Sequence, residues 1–170
     1  VGSEMCIRDR ITIANREKAL LQDLDYENGY SLYVGIPFCP SICLYCSFGS
    51  HPLERWTKRV EEYLDTLCKE LTFIREQMGA RKLTTVYIGG GTPTTLEPEQ
   101  LRRLLSHIQE TFDFTWVKEY TVEAGRPDSI TREKLQVMKE FPVTRISVNP
   151  QTMNQKTLDV IGRKHTVEDT

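Results

Sequence analysis

Apolar positions along this chain fall into two alternating patterns. Short runs dense in apolar residues predict strands, and longer stretches with apolar residues at steps of three and four predict amphipathic helices. Residues 32–36, with Leu32, Tyr33, Val34 and Ile36, form the first nearly continuous run and read as a strand buried on both faces. Residues 84–88, 119–124 and 143–148 give three more strands. Between them, residues 54–78 carry Val60, Leu64, Leu67, Leu71, Ile74 and Met78 on one stripe, and Gly79 supplies a helix stop. A second helix buries Leu101, Leu104, Leu105, Ile108 and Phe112, and a third, over 131–140, turns Leu135 and Met138 inward. A short helix over 155–161 stops at Gly162, and Thr166 with Asp169 looks like the N-cap of one more. Ahead of the first strand, residues 14–24 predict a short helix with Ala19, Leu20 and Leu24 on one side, followed by turn chemistry over 25–29.

This order is a βα unit repeated four times, which places the chain in the α/β class with parallel strands and right-handed crossovers. In such folds ligands gather at the C-terminal ends of the strands. The unusual residues fall at those ends each time: the cysteine loop after the first strand, Gly89-Gly90-Gly91 after the second, Glu123 with Arg126 after the third, Asn149 with Gln151 after the fourth. All four sets are expected on one rim. Residues 1–10 show no periodicity, resemble translated sequencing-adaptor read-through and are set aside as a non-native leader, so Cys6 is given no role. Residues 11–30 then form an N-terminal helix and linker, and residues 31–170 the core.

Composition narrows the partners. A chain of 170 residues with 39% hydrophobic and 27% charged residues has material for one core. A net charge of −2 argues against a broad nucleic-acid surface. No apolar run reaches the length of a membrane span, and an odd count of five cysteines fits a reducing, cytoplasmic setting better than a disulfide framework. Cys68 lies beside the apolar stripe of its helix and reads as core.

Cys39, Cys43 and Cys46 have C-x3-C-x2-C spacing, with Pro40 stiffening the loop. Three such thiolates leave a [4Fe–4S] cluster one protein ligand short, opening its fourth iron to a small molecule. With His51 the same stretch reads C-x3-C-x2-C-x4-H, a zinc site closed by four ligands. The company on the rim favours the cluster, since a structural zinc needs none of it. Gly89, Gly90, Gly91 and Thr92 permit close backbone approach to a ligand, but the Lys-Ser/Thr ending of a phosphate loop is missing; a tight turn is the plainer reading. Glu123 ends an apolar strand where a charge needs a partner, either ribose hydroxyls, an amine, or Arg126. Gln151 both donates and accepts; Arg163 suits a carboxylate or plain solvent; Tyr45 sets an aromatic face beside the open iron. Together they describe a pocket for an amino acid joined to a nucleoside.

These residues resemble the radical S-adenosylmethionine superfamily, with its C-x3-C-x-aromatic-C signature. Residues 31–170 are similar to the oxygen-independent coproporphyrinogen III dehydrogenases of the HemZ/HemN type, through Tyr33-Val34-Gly35-Ile36-Pro37-Phe38-Cys39, Ile88 to Thr94, Thr121 to Asp128 and Ser147 to Met153. The resemblance implies a partial (βα) parallel barrel. It implies that Cys39, Cys43 and Cys46 ligate a [4Fe–4S] cluster, whose open iron takes the methionine end of S-adenosyl-L-methionine. Tyr33, Tyr45, Gly90, Gly91, Thr92, Glu123, Gln151 and Arg163 would complete the cofactor site. The implied activity is oxidative decarboxylation of porphyrinogen propionates to vinyl groups, giving protoporphyrinogen IX and drawing on an external electron donor. Two departures loosen the substrate assignment: Gly35 stands where better-known relatives have histidine, and Phe48 where they have a further cysteine. Haem chaperones share this scaffold, and radical tRNA modification is a third outcome. The superfamily core has six βα units followed here by a substrate-covering domain, so this chain is expected to be a fragment, the cofactor half, that does not decarboxylate propionates by itself.

Overall fold

The computed structural model describes residues 2–22, 25, 27–48 and 51–170. Helix α1 spans Gly2–Leu21. The helix expected over 14–24 therefore begins far earlier, inside the stretch set aside as a leader. Its described side chains, residues 9–19, are exposed, including Ala19, so α1 presents no buried stripe among them; Leu20 and Leu24 lie outside the described side chains.

Beside a short two-residue pair, Phe38–Cys39 with His51–Pro52, four longer strands follow: β1 (Gly29–Ile36), β2 (Lys82–Gly90), β3 (Glu119–Glu123) and β4 (Arg145–Ser147). They form one parallel sheet in the order β1-β2-β3-β4. Each new strand adds beside the last and the order never reverses, as in a barrel wall and unlike an open sheet with a switch point. The mixed α/β class and the partial barrel are both as the sequence leads one to expect.

Helices α2 (Val60–Met78), α3 (Pro98–Thr111), α4 (Arg132–Lys139) and α5 (Gln155–Val160) connect or follow the strands. Leu32, Val34, Ile36, Val86, Ile88, Tyr120 and Val122 join Val60, Leu64, Leu71, Leu101, Leu104, Leu105 and Ile108 in one core. The strand expected to be buried on both faces is not: along β1, Leu32, Val34 and Ile36 are buried while Ser31 and Tyr33 are exposed. The helices pack against one face, and Tyr33, Tyr87 and Glu123 on the alternate positions line an open cavity, although Thr121 between them is fully buried.

Other local departures have physical causes. The stretch 54–78 is broken into a turn of helix at Leu53–Trp56, a 3-10 turn at Thr57–Arg59, and α2. Neither short piece contributes a buried residue, so the long helix starts where its apolar stripe starts, at Val60. In α4, Met138 is buried but Leu135 is 39% exposed; Val137 and Lys134 take the inward positions. Lys134 can do so because its ammonium donates to the Thr94 carbonyl (2.7 Å) and the Ser129 carbonyl (3.1 Å). Gly79 and Gly162 end their helices at positive φ, 55° and 78°. Thr166 and Asp169 do form a capping box, over a 3-10 turn at Val167–Asp169.

Candidate functional site

A cavity of about 310 Å³ opens at the C-terminal ends of the four strands. Its lining contains Cys39, Cys43, Cys46, Tyr33, Tyr45, Gly90, Gly91, Thr92, Glu123, Gln151 and Arg163, so all eleven sequence-expected site residues meet there. That volume lies at the small end of the range for small-molecule sites, roughly 300–1,000 Å³.

The cysteine loop leaves β1 at Pro37 and is pinned from several directions. The Thr92 amide donates to the Phe38 carbonyl (2.8 Å), and Phe38–Cys39 pairs in parallel with His51–Pro52. The Leu44 amide donates to the Ile161 carbonyl (3.0 Å) and the Ser41 hydroxyl to the Gly162 carbonyl (3.4 Å). Cys39 and Cys43 are buried and Cys46 is partly exposed; none of the three is in a disulfide. The Thr92 hydroxyl donates to Cys39 Sγ (3.5 Å), and Arg126 Nη1 to Cys43 Sγ (3.6 Å). Burial pushes the Cys39 thiol up, opposed by the Thr92 hydrogen bond and the Arg126 charge.

The triple glycine is explained by packing at every position, which neither earlier reading, turn or ligand approach, had required. A Cβ on Gly89 would stand 2.7 Å from the Tyr87 ring and 3.2 Å from the Glu123 carboxylate. Gly90 has φ 106°, and a Cβ there would meet the Ile36 carbonyl oxygen at 2.9 Å. At Gly91 a Cβ would lie 2.9 Å from Cys39 Sγ and 2.8 Å from the Phe38 carbonyl oxygen. The Gly91 amide donates to the Ile36 carbonyl (2.7 Å). These glycines let the first thiol sit directly against the end of β2.

Glu123 accepts a hydrogen bond from the Tyr87 hydroxyl. That bond, with burial second, pushes the Tyr87 phenol up to about 12. Tyr87 in turn stacks on Tyr33 with ring centroids 5.9 Å apart. Arg126 is not the partner of Glu123: it grips Asp128 through Nε (2.9 Å) and Nη2 (2.8 Å). Arg163, held open above as a solvated residue, is 7% exposed. Its Nη1 donates to the carbonyls of Gly125 (2.8 Å) and Asn149 (3.3 Å), and Nη2 to the Tyr45 hydroxyl (3.2 Å). Its Nε is buried without a partner among the described residues. Burial raises the Tyr45 phenol, against the pull of Arg163. Gln151 sits at φ 70°, its amide held by the Asn149 side chain (2.9 Å).

Tyr87, Phe48 and Ser147 also line the cavity and were not singled out beforehand as binding groups. For Tyr87 a signal existed: it is two residues before Gly89 and pairs with Tyr33, so strand alternation puts it on the open face. His51, the fourth ligand of the zinc alternative, lies elsewhere. It lines a separate cavity of about 330 Å³ and packs edge-on to Trp56 at 4.8 Å. Among the described residues no three His, Cys, Asp or Glu side chains converge as one ion would require.

The chain belongs to the Radical SAM superfamily, whose pattern it matches over residues 33–170. Over 162 residues it is 43% identical to the oxygen-independent coproporphyrinogen-III oxidase-like protein HemZ of Bacillus subtilis (strain 168), covering 93% of this chain and 32% of that one. It is 39% identical to the heme chaperone HemW of the same organism, covering 82% of this chain and 36% of that one. The structure of coproporphyrinogen III oxidase (HemN) from Escherichia coli, a radical SAM enzyme, superposes with a TM-score of 0.76 at 29% identity, over 84% of this chain and 32% of that one. The chain thus spans about a third of the length of these relatives.

Membership implies a [4Fe–4S] cluster and S-adenosylmethionine, and the donor set fits them. Three thiols edge a cavity without crowding to a point, as suits a cubane that spreads its protein ligands over separate irons. The orphaned Nε of buried Arg163 offers a charged donor that a carboxylate would complete. Among the described residues, no helix is long and apolar enough to cross a membrane.

Proposed function

We propose that residues 31–170 are the cofactor-binding part of a radical S-adenosylmethionine oxidoreductase of porphyrin synthesis, which decarboxylates coproporphyrinogen III propionates to vinyl groups with an external electron donor. The observation that carries this reading is the single cavity edged by Cys39, Cys43 and Cys46 together with Glu123, Gln151 and Arg163. In it the three thiolates hold the cluster, and Arg163 and Gln151 orient the methionine end of the cofactor. Glu123, kept in place by Tyr87, receives hydroxyl or amine donors of the nucleoside. When bound, the pair supplies hydrogen-atom abstraction from an unactivated carbon; the protein orients the reactants and excludes water. An adjoining apolar cavity of about 310 Å³ shares Tyr33, Phe48, Gly90 and Gly91 and suits the substrate side.

Anaerobic reconstitution with iron and sulfide is expected to give a brown protein that cleaves S-adenosylmethionine when reduced. A colourless protein that takes up zinc alone would remove the reading. In the longer protein, loss of CO2 from coproporphyrinogen is the outcome expected. The 39% identity to a heme chaperone supports a second reading, haem delivery on the same scaffold. Stable haem binding with no CO2 release from coproporphyrinogen would favour it.

A further inference from the structure

Besides Arg163, a second buried cation, Arg126, packs against the cysteine loop and lines the same cavity, and the proposed cofactor site gives it no role. Arg126 is 3% exposed. Its guanidinium reaches Cys43 Sγ (3.6 Å), the Ser41 hydroxyl (3.1 Å) and the Ser41 carbonyl (3.3 Å), while its other edge is paired with Asp128. A guanidinium stays protonated even when buried, and its pairing with the Asp128 carboxylate (2.8 Å) answers part of the charge. Asp128 is fixed too, in the 3-10 turn Pro127–Ser129, where the Ser129 hydroxyl donates to the Arg126 carbonyl (2.8 Å). A surface pair here would add almost nothing; a buried one acts on its surroundings at low dielectric.

We propose that Arg126 and Asp128 form a charge pair that sets the reduction potential of the iron–sulfur centre at the Cys39–Cys46 loop, Arg126 favouring the reduced state and Asp128 moderating it. The inference rests on the cluster reading above. Its warrant is that potentials of such centres follow net charge, hydrogen bonds to the sulfurs and solvent exposure. Arg126 contributes to all three: a unit positive charge, an N–H aimed at a ligand sulfur, and a covering side chain. Reduction adds one electron to a centre already negative through its thiolates. A cation beside Cys43 therefore stabilises the product more than the reactant, and an anion beyond it does the reverse. Arg126 is a positioning residue in this scheme, since it acts on the centre through Cys43 and Ser41.

The test is an anaerobic redox titration followed by electron paramagnetic resonance on the reconstituted chain, with iron and sulfide counted for each variant. Arg126→Gln is expected to disfavour reduction by about tenfold, about 59 mV for one electron, and Asp128→Asn to favour it by a similar factor. Arg126→Lys keeps the charge and is expected within about twofold of the parent. Opposite signs at two residues of one ion pair are what a merely structural role would not give. Should Arg126→Gln hold no cluster, Arg126→Lys and Asp128→Asn carry the comparison. Shifts of the same sign in Arg126→Gln and Asp128→Asn, or no upward shift in Asp128→Asn, overturn the inference while leaving the cluster reading standing. A parent chain that binds no cluster removes both.

Discussion

Val34, Ile88 and Val122 are buried against the helices, while Tyr33, Tyr87 and Glu123, one position away on the same strands, line the open face and its cavity. The covered face is apolar and close-packed; the open face is a row of hydroxyls and glycines with the carboxylates of Glu119 and Glu123. Thr85 donates to Ser31 (2.7 Å), Thr121 to Glu119 (2.7 Å) and Tyr87 to Glu123 along that row. Strand alternation thus separates stability from chemistry by one residue, so each can be perturbed with little effect on the other.

The sharpest break of that separation comes from the covered side. Leu104→Ala, at a fully buried position of α3, is expected to cost about 2–5 kcal/mol in urea denaturation and to leave iron uptake of the folded chain unchanged. Gly91→Ala tests the place where the faces join, because its Cβ would press on Cys39 Sγ and the Phe38 carbonyl. It is expected to cost about 1–3 kcal/mol and, unlike Leu104→Ala, to lower iron and sulfide content. On the open side, Tyr87→Phe is expected to cost less than about 1 kcal/mol at neutral pH, since the pair is partly solvated.

The same residue gives a pH signature. The Tyr87 phenol is raised from 10.0 to about 12 in the folded chain, so its contribution is complete below pH 10 and is lost as pH climbs toward 12. Tyr87→Phe should therefore lack a stability loss that the parent shows in that window. Glu123→Gln should bring one phenol titration, followed by ultraviolet absorbance, back toward pH 10. The smallest effect is expected at Gln151, whose φ of 70° strains a side-chain-bearing residue. Gln151→Gly should stabilise the chain by about 1 kcal/mol or less while weakening cofactor binding.

Spacing revealed most of what the open face carries, because cysteines, glycines and a charged strand end are conspicuous in one dimension. The residues 39, 43, 46, 90, 91, 123 and 151 could be placed on one rim from the βα order alone. What stayed hidden depended on partners remote in sequence. Arg163 suits a carboxylate or plain solvent in the sequence, and its burial shows only once the Gly125 and Asn149 carbonyls are seen around it. The inward place expected for Leu135 goes to Lys134, whose ammonium bonds to carbonyls of two other loops. The one-sided covering of β1 was illegible for a related reason: Leu32-Tyr33-Val34-Gly35-Ile36 has no polar residue to mark the open face, because tyrosine and glycine occupy it.

The ties between the cysteine loop and the end of α5 bear on the order of synthesis. Ser41 bonds to Gly162 across 121 residues, and Tyr45 to Arg163 across 118. A nascent chain that has exposed all three thiols still lacks these restraints, and closing so long a segment carries an entropic cost that few bonds offset alone. The cysteine loop therefore gains these two restraints only after the fourth strand has left the ribosome. Iron delivered earlier would meet a loop held only by its nearer contacts at Thr92 and His51.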